Sequence, residues 1–445
     1  MAHEIADVVA LTQELIRNRC VNDGDVDSGD EVRNADLLQT YLEGGGLDVE
    51  RHHAAPGRTS LVARIEGTDP DAPTLCLLGH TDVVPVNAAR WEHDPFGGEL
   101  IDGYVWGRGA IDMFNVTASM VVAVRRMADR GFRPRGTLVV AAVADEEAGG
   151  HYGAEHLALD APDAVRCDYA ITESGGFPLP TPSGVRLPYL AEEKGPMWAT
   201  LRLTGTPGHG SMPFRSDNAL LKAAEVIRRL ADHQPATRLD DAWRRFVEGL
   251  GVPEELAGPL LTEEGFVDAI GVLPPGISKM AYSCTHTTIT PTLMHAGSKL
   301  NIIPEEAEIG LDIRTLPGDG AEQVREMIDT ALGDLAAEVE VRFERPDDVA
   351  TASPPESPLV DAMARAGRRF YPDARLLPMR MVGTTDARHF RRHFGTAAYG
   401  FGIFSAKTSL DDLATMGHGD NERVDVESLH MAVELWDAIV SDFLG

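Results

Sequence analysis

The sequence has few cysteines, few basic residues for its length and no long uninterrupted apolar run. Only four cysteines occur in 445 residues, and none stands in a Cys-x-x-Cys pair. Isolated thiols of this kind exclude a disulfide framework and favour a reduced, cytoplasmic protein. No stretch approaches the roughly 18 apolar residues that a membrane span needs. The scattered charges of residues 1–20 favour an amphipathic first helix over a signal peptide.

Basic residues are scarce relative to acidic ones. Lysine and arginine together number 40, against 70 aspartates and glutamates, which gives a formal net charge of -30. Nucleic acids and anionic membranes are bound through basic patches, so we expect neither as a partner. The hydrophobic fraction of 43% is ordinary for a globular protein. Because 445 residues exceed what one hydrophobic core usually covers, we expect two domains.

Short apolar runs alternate with helical patterns in the first half of the chain. Strands are predicted at 74–80, 136–144 and 168–173, with a helix over 114–130. This alternation is typical of βαβ units, and runs that are apolar throughout indicate strands buried on both faces. The sequence therefore predicts an α/β fold with a largely parallel, helix-flanked sheet.

A different pattern begins near residue 195. Strand, helix, strand, strand, helix and strand follow in order, interrupted by a helical insertion at about 236–265. That order is the ferredoxin-like split βαβ arrangement. Patterns like those of the first half resume after 345 and end in a helix at about 426–443. We expect a catalytic domain of residues 1–194 and 345–445, interrupted by a lid or dimerisation domain at 195–344.

Acids and histidines follow the predicted strands where those strands end. His80 and Asp82 follow the first strand, Glu146 and Glu147 the second, and Glu173 the third. In open parallel sheets the ligand crevice lies outside the carboxyl ends of the strands. We therefore expect these side chains to share one crevice.

Two further residues have the same chemistry. Asp112 precedes a predicted helix, and His418 stands between glycines after a strand pattern at 397–403. Taken singly, Asp112 could be only a helix N-cap, His418 an exposed loop residue and the glutamates solvated acids. Taken together, two imidazoles and three carboxylates need a cation, and this mixed donor set suits zinc, with cobalt or manganese as competitors. Two divalent ions would then compensate the charge of the acidic triplet at 145–147.

Six motifs give the chain a resemblance to the dinuclear zinc peptidase and deacylase family. They are GHTDVVP (79–85), GRGAIDM (107–113), ADEEAGG (144–150), TESGG (172–176), GTPGHGSMP (205–213) and GHGDNE (417–422). The family includes aminoacylase, glutamate carboxypeptidase, carnosine dipeptidases, acetylornithine deacetylase and succinyl-diaminopimelate desuccinylase. The motifs occur in the family's order along nearly the whole chain.

The resemblance implies five metal ligands, one of them shared by two ions. Asp112 would bridge the ions, and the other ligands would be His80 with Glu173 at one ion and Glu147 with His418 at the other. Glu146 would be the general base and Asp82 would orient His80. A general base of this kind takes a proton from water and later returns it to the leaving amine.

The resemblance also implies a substrate clamp. Equivalents of His209 and Asn301 polarise the scissile carbonyl, and the equivalent of Arg314 grips the substrate carboxylate. Gly383 and Thr384 stand in GTTDARHF (383–390), which resembles a family loop near that carboxylate. The pattern alone favours an exposed loop for His209 and a solvated strand edge for Arg314, and a simple turn is an equally good interpretation of 383–384.

The expected function is two-metal hydrolysis of an amide bond in a small substrate with a free carboxylate, either an N-acyl amino acid or a short peptide. Dipeptidase or carboxypeptidase activity is the alternative to deacylation. A nucleotide-cofactor oxidoreductase is a distant alternative, because GRGAID lacks a full Gly-x-Gly-x-x-Gly after a strand. A non-catalytic metal-binding relative is another.

His151 and His156 are interpreted as structural. We expect a homodimer through the lid domain, in which His209 serves its own site or that of the partner.

Overall fold

A computed structural model describes residues 7–445 of the protein. Residues 1–6 of the predicted first helix lie outside this range, and the helix begins at Val8. The elements between residues 7 and 194 are α1 (Val8–Arg17), α2 (Val32–Leu42), β1 (Asp48–Ala55), β2 (Arg58–Ile65), β3 (Leu75–His80), β4 (Glu99–Ile101), β5 (Tyr104–Trp106), α3 (Phe114–Asp129), β6 (Leu138–Val143), α4 (Ala154–Asp160), α5 (Pro162–Val165), β7 (Tyr169–Thr172), β8 (Leu179–Thr181) and β9 (Gly184–Glu193).

The rest of the chain continues in the predicted order. Residues 195–344 form β10 (Gly195–Pro196), β11 (Ala199–Thr204), β12 (Gly208–His209), α6 (Ala219–Asp232), α7 (Asp241–Leu250), α8 (Glu254–Leu260), α9 (Glu263–Gly271), α10 (Pro275–Thr285), β13 (Thr288–Ala296), β14 (Ile302–Ile303), β15 (Glu306–Thr315), α11 (Ala321–Leu332) and β16 (Val339–Phe343). The last hundred residues form β17 (Thr351–Ala352), α12 (Pro358–Gly367), β18 (Arg375–Met381), α13 (Ala387–Phe394), β19 (Ala397–Gly400), α14 (Leu410–Met416), β20 (Arg423–Asp425) and α15 (Val426–Leu444).

The larger sheet has ten strands in the order β1-β2-β6-β3-β7-β19-β9-β17, with β8 and β18 also paired to β9. Its centre, β6-β3-β7-β19, is parallel. The margins contain antiparallel pairs, because β1 and β2 form a hairpin beside β6 and β9 runs against β19, while β18 pairs with β9 in parallel. The predicted α/β class is confirmed, and the antiparallel margins are features that the sequence patterns did not predict.

Both faces of the parallel centre are buried, as continuous apolar runs predict. Leu75 and Leu77 of β3 point into a core with α1, α3 and α15. Cys76 and Leu78 point to the opposite side, into a core with α4 and α13. Helices on both faces leave only the strand ends accessible, so a ligand reaches this sheet at the carboxyl ends of its central strands.

The smaller sheet is antiparallel, with β13, β15, β11 and β16 side by side and the short β10 also paired to β15. This is the split βαβ order that the sequence predicts. One face packs on α6 and α11, because Ile309, Leu311 and Ile313 of β15 are buried there. Arg314 lies on the opposite face, as the alternation predicts. The N-cap of α6 is Asn218, whose side chain accepts from Leu220 N–H.

The helical insertion is longer than predicted. It runs from α7 to the end of α10 at Thr285, whereas the sequence predicted an end near 265. The four helices pack around a small core of their own, which contains Trp243 and Phe266. Buried Arg380 of β18 joins the insertion to the larger sheet, since it donates to Cys284 O at 2.6 Å and to Asp240 at 2.6 Å.

Among the helices of residues 7–445, none combines the length and apolarity needed to cross a membrane. The four cysteines in this range are buried free thiols.

Candidate active site

Three adjacent parallel strands bring the predicted site residues together. His80 is the last residue of β3, and Glu173 directly follows β7. Glu146 and Glu147 form a short 3₁₀ turn just after β6. Because β3 pairs with both β6 and β7 in parallel, the three strands end at the same edge of the sheet. The four side chains therefore meet in one crevice.

Asp112 lies between two imidazoles. Its Oδ1 is 3.1 Å from His80 Nε2, and its Oδ2 is 3.2 Å from His418 Nε2. Glu147 Oε2 is 3.0 Å from His418 Nε2, and Glu173 Oε1 is 4.0 Å from His80 Nε2. Each imidazole thus has one carboxylate of its own and shares Asp112 with the other. Asp112 is therefore the carboxylate that both imidazoles contact.

Donor atoms in this crevice come close enough to hold ions in two overlapping groups. One group is His80, Asp112 and Glu147, and the other is His80, Glu146 and Glu173, with the donor atoms of each group within 4.8 Å of one another. The second group includes Glu146, the predicted general base. The geometry therefore places Glu146 where it could also contact a cation.

The electrostatics of the crevice also fit a cation. Burial, followed by the charge of a neighbouring carboxylate, raises the pKa of Glu146, Glu147 and Glu173. Hydrogen bonds to Asp112 and Glu147 raise the pKa of His418 to about 10. One oxygen of Glu147, Oε1, is buried without a hydrogen-bond partner. The raised pKa values show that burying these carboxylate charges is unfavourable without a neighbouring cation, so the residues fit the metal centre that the sequence predicts.

A cavity of about 350 Å³ opens beside these residues. Arg314, Gly383 and Thr384, all predicted to contact the substrate, line it. His209 and Asn301 are exposed and are not among the cavity-lining residues of the described chain. His209 ends β12, and Asn301 directly precedes β14, the partner of β12 in a separate two-stranded sheet, where Gly210 N–H donates to Asn301 O at 2.9 Å. The predicted clamp is therefore divided between the cavity and a surface outside it.

Residues 76–442 match peptidase family M20/M25/M40. The chain belongs to this family. Human aminoacylase-1 is 29% identical over 397 residues, which cover 88% of this chain and 83% of that protein. The N-fatty-acyl-amino acid synthase/hydrolase PM20D1 of Xenopus tropicalis is 25% identical over 407 residues, covering 88% and 76%. The M20 metallo-carboxypeptidase Sso-CP2 of Sulfolobus solfataricus has the same fold, with a TM-score of 0.74, 19% identity and coverage of 97% and 98%.

Family membership confirms the resemblance carried by the sequence motifs. The protein is a metal-dependent hydrolase of amide or peptide bonds in small substrates, as the sequence predicts.

The carboxylate of Asp82 supports the crevice from behind. Asp82 is fully buried. His80 Nδ1 lies 3.0 Å from the backbone oxygen of Asp82 and 3.5 Å from its Oδ1. The carboxylate also accepts the backbone N–H groups of Glu146 and Glu147, at 3.2 and 3.1 Å. Asp82 therefore contacts His80, as predicted, and in addition holds the turn that carries both glutamates.

Asp145, the first acid of the triplet, has its hydrogen-bond partners within the protein. It accepts from Asn22 at 3.1 Å and from Tyr152 N–H at 2.9 Å, and Arg58 Nη1 lies 3.5 Å away. The prediction that metal ions compensate the whole triplet is wrong for this residue. Its side chain is buried among these partners, on the side of the turn away from the cavity.

Glu422 is a structural residue of the site that the sequence patterns did not single out. Its buried carboxylate pairs with Arg108 Nη1 at 2.6 Å and accepts the backbone N–H groups of Gly109, Ile111 and Asp112. It therefore fixes the loop that presents Asp112. The signal was present, because Glu422 ends the motif GHGDNE, but only its contacts reveal the role.

Other cavity residues were also missed. Trp198, with 47% of its surface exposed, lines the cavity with Pro196 and Met381 and gives it an apolar wall. His151 lines it too, beside Glu155 and Arg345, and the structural interpretation of His151 stays a prediction. His156 pairs with Asp160 at 2.9 Å and is not among the cavity-lining residues.

Proposed function

We propose that this M20 hydrolase uses two divalent ions, for which zinc is best suited, to release the acyl group of an N-acyl amino acid. The observation that carries the proposal is Asp112, whose two oxygens face His80 and His418 at 3.1 and 3.2 Å. Glu173 and Glu147 complete the two groups of donors. Two nitrogens and three carboxylates suit zinc, with cobalt or manganese as competitors.

Bound ions would polarise the scissile carbonyl and lower the pKa of a water molecule toward neutrality. The base of the reaction belongs to the chain. Glu146 lines the same cavity as Asp112 and Glu147. Its carboxylate accepts a proton from the attacking water and returns it to the nitrogen of the leaving amine, so that the amide is cleaved without a covalent intermediate.

The substrate carboxylate is proposed to bind Arg314. The guanidinium lines the cavity and is held by Asp312, at 2.7 Å from Nε. A planar guanidinium pairs with a carboxylate through two parallel hydrogen bonds, which orients the substrate as well as binding it. Gly383 and Thr384 line the neighbouring wall and would contact the same end of the substrate.

Arg314→Met is expected to raise KM by about 10- to 100-fold, the usual effect of losing hydrogen bonds to a charged group. Turnover at saturation should change less, because the carboxylate is bound alike before and during the reaction. Steady-state kinetics on one N-acyl amino acid would measure both constants. Arg314→Lys keeps the positive charge but loses the planar guanidinium, so its KM should lie between those of the wild type and Arg314→Met. An unchanged KM in Arg314→Met would contradict this assignment.

The apolar wall supports an acyl substrate. Trp198, Pro196 and Met381 offer a surface on which an aliphatic or aromatic acyl group can be removed from water. The named activities of the relatives agree, since one is an aminoacylase and another hydrolyses N-fatty-acyl amino acids. An acidic residue favours the second candidate, a dipeptidase, because exposed Glu344 also lines the cavity and could bind a free amino group.

A metal-reconstituted activity screen tests the function. The panel contains N-acetyl, N-succinyl and long-chain N-acyl amino acids together with dipeptides. We expect hydrolysis of acyl amino acids with larger apolar groups, its loss on chelation, its return with zinc, cobalt or manganese, and about two ions per chain by elemental analysis. Faster cleavage of dipeptides would favour the second candidate. Active protein without bound metal would overturn both.

We also propose a homodimer through the second sheet. Strand β13 is an exposed edge, and Leu293 is 62% exposed on it. Leu221 of α6, which packs on this strand, is 66% exposed, and Phe214, in the loop after His209, is 84% exposed. Exposed apolar groups beside an unpaired edge favour pairing with a second copy. His209 precedes Phe214 by five residues and Asn301 follows the end of β13 by five, and we propose that both reach the partner's cavity.

A cytoplasmic location is part of the same proposal. It is supported by the four cysteines, which are buried as free thiols.

A further inference from the structure

A buried network of charges lies behind the metal centre, on the side away from the cavity. Its centre is Arg58, whose surface is fully buried. The guanidinium pairs with Glu31 at 2.5 Å, donates to Asn22 Oδ1 at 3.2 Å and to Asp25 O at 2.9 Å, and lies 3.5 Å from Asp145. The sequence patterns gave no reason to connect these residues, which come from three separate parts of the chain.

Asn22 carries the network from Arg58 to the acids. Its Nδ2 donates to Asp82 Oδ2 at 2.8 Å and to Asp145 Oδ1 at 3.1 Å, while its Oδ1 accepts from Arg58. Both ends of the amide are therefore occupied by groups of the opposite polarity. A 180° flip of the Asn22 side-chain amide would place its oxygen against two carboxylates.

The network ends on the turn that carries the two glutamates of the site. Asp145 N–H donates to Glu31 Oε1 at 3.2 Å. Glu146 N–H and Glu147 N–H donate to the two oxygens of Asp82, at 3.2 and 3.1 Å. Three consecutive backbone N–H groups are thus bound by two carboxylates, and Arg58 or Asn22 holds each of those carboxylates.

We propose that Arg58 and Asn22 are positioning residues of the metal centre. They fix the carboxylates of Glu31 and Asp82, these fix the backbone of residues 145–147, and the backbone sets where Glu146 and Glu147 point. This inference rests on the proposed function, because it takes Glu147 as a metal ligand. Partners one layer behind a ligand orient it, and their loss usually lowers metal affinity or activity by about 10- to 100-fold.

Charge explains why the arginine is needed. Glu31, Asp82 and Asp145 are all buried, and Arg58 is the cation that contacts two of them. A lysine at position 58 has one ammonium group, so it can keep the bond to Glu31 but cannot also reach Asn22 and the Asp25 carbonyl in the arginine's geometry. Arg58→Lys should therefore release Asn22 while preserving the charge.

Arg58→Lys is expected to bind zinc about 10- to 100-fold more weakly than wild type and to lower kcat more than it raises KM. Zinc affinity is measured by competition with a chromophoric chelator, well below the melting temperature of each metal-free protein. The matched control is Arg380→Lys. Arg380 is also buried and paired with two acids, Glu192 at 2.7 Å and Asp240 at 2.6 Å, but it joins the helical insertion to β18.

Both lysine variants should melt at a lower temperature, and only Arg58→Lys should lose zinc affinity. Asn22→Ser is the second variant, because it retains a small polar group and does not disturb the ion pair of Arg58 and Glu31. It should also weaken zinc binding. Wild-type zinc affinity in folded Arg58→Lys and Asn22→Ser would overturn the inference, as would an equal loss in Arg380→Lys. Failure of the wild-type protein to bind zinc would instead overturn the proposed function.

Discussion

Glu146→Gln is expected to lower kcat by about 10² to 10⁴-fold, the usual range for loss of a general base, with bound metal retained. Glutamine has the same shape but cannot accept the proton of the attacking water. The backbone N–H of residue 146 still reaches Asp82, so the turn should keep its conformation. Measuring kcat and metal content on the same preparation tests both the loss of turnover and the retention of metal.

Glu147→Gln is the matched control, because it makes the same chemical change at the next residue of the same turn. Its carboxylate lies 3.0 Å from His418 Nε2, and its loss should lower metal occupancy. Metal analysis is decisive, since Glu146 also belongs to a group of donors close enough to hold an ion. Loss of metal from Glu146→Gln, with full metal in Glu147→Gln, would reverse the two roles.

The sequence predicts the part of the site that depends on strand ends. Continuous apolar runs mark β3, β6 and β7 as strands buried on both faces, and such strands are adjacent and parallel. The residue after each run must then stand at the ligand edge. His80, Glu146, Glu147 and Glu173 could be assigned in this way from local sequence, without knowing which strand neighbours which.

Residues that act through distant contacts could not be predicted in the same way. Arg58 and Asn22 reach Asp145 across 87 and 123 positions, and nothing near them in sequence indicates that partner. The sequence predicts too short a helical insertion for a related reason. Its helices bury their apolar residues against each other around Trp243 and Phe266, so its length depends on tertiary packing that no local periodicity records.

The predicted substrate clamp of Arg314, His209 and Asn301 is divided between the cavity and the surface, which bears on whether the active enzyme is a dimer. Arg314 lines the cavity, whereas His209 and Asn301 are exposed outside it. If a second copy supplies His209, two inactive variants should restore activity when their subunits exchange. We expect Glu146→Gln and His209→Ala, each nearly inactive alone, to recover about one quarter of wild-type activity after equal mixing, as a two-fold assembly requires.

The fraction follows from counting sites. Random exchange of equal amounts makes about half of the dimers mixed, and each mixed dimer contains one whole site. That site belongs to the His209→Ala chain, which keeps its own Glu146 and receives His209 from the neighbouring chain. The other site carries both lesions. If His209 served its own chain, every site would carry one lesion and mixing would restore nothing.

A double variant, with Glu146→Gln and His209→Ala in one chain, provides the matched control. Mixed with wild type in equal amounts, it should reduce activity after exchange from about half to about one quarter of that of wild type alone, because the wild-type chain of a mixed dimer receives no His209. A histidine that serves its own chain would leave the activity at about half. The two mixtures thus change in opposite directions under the proposal. Unchanged activity in both, with exchange shown by mass spectrometry of differently tagged chains, would contradict it, and so would full activity in a monomeric enzyme.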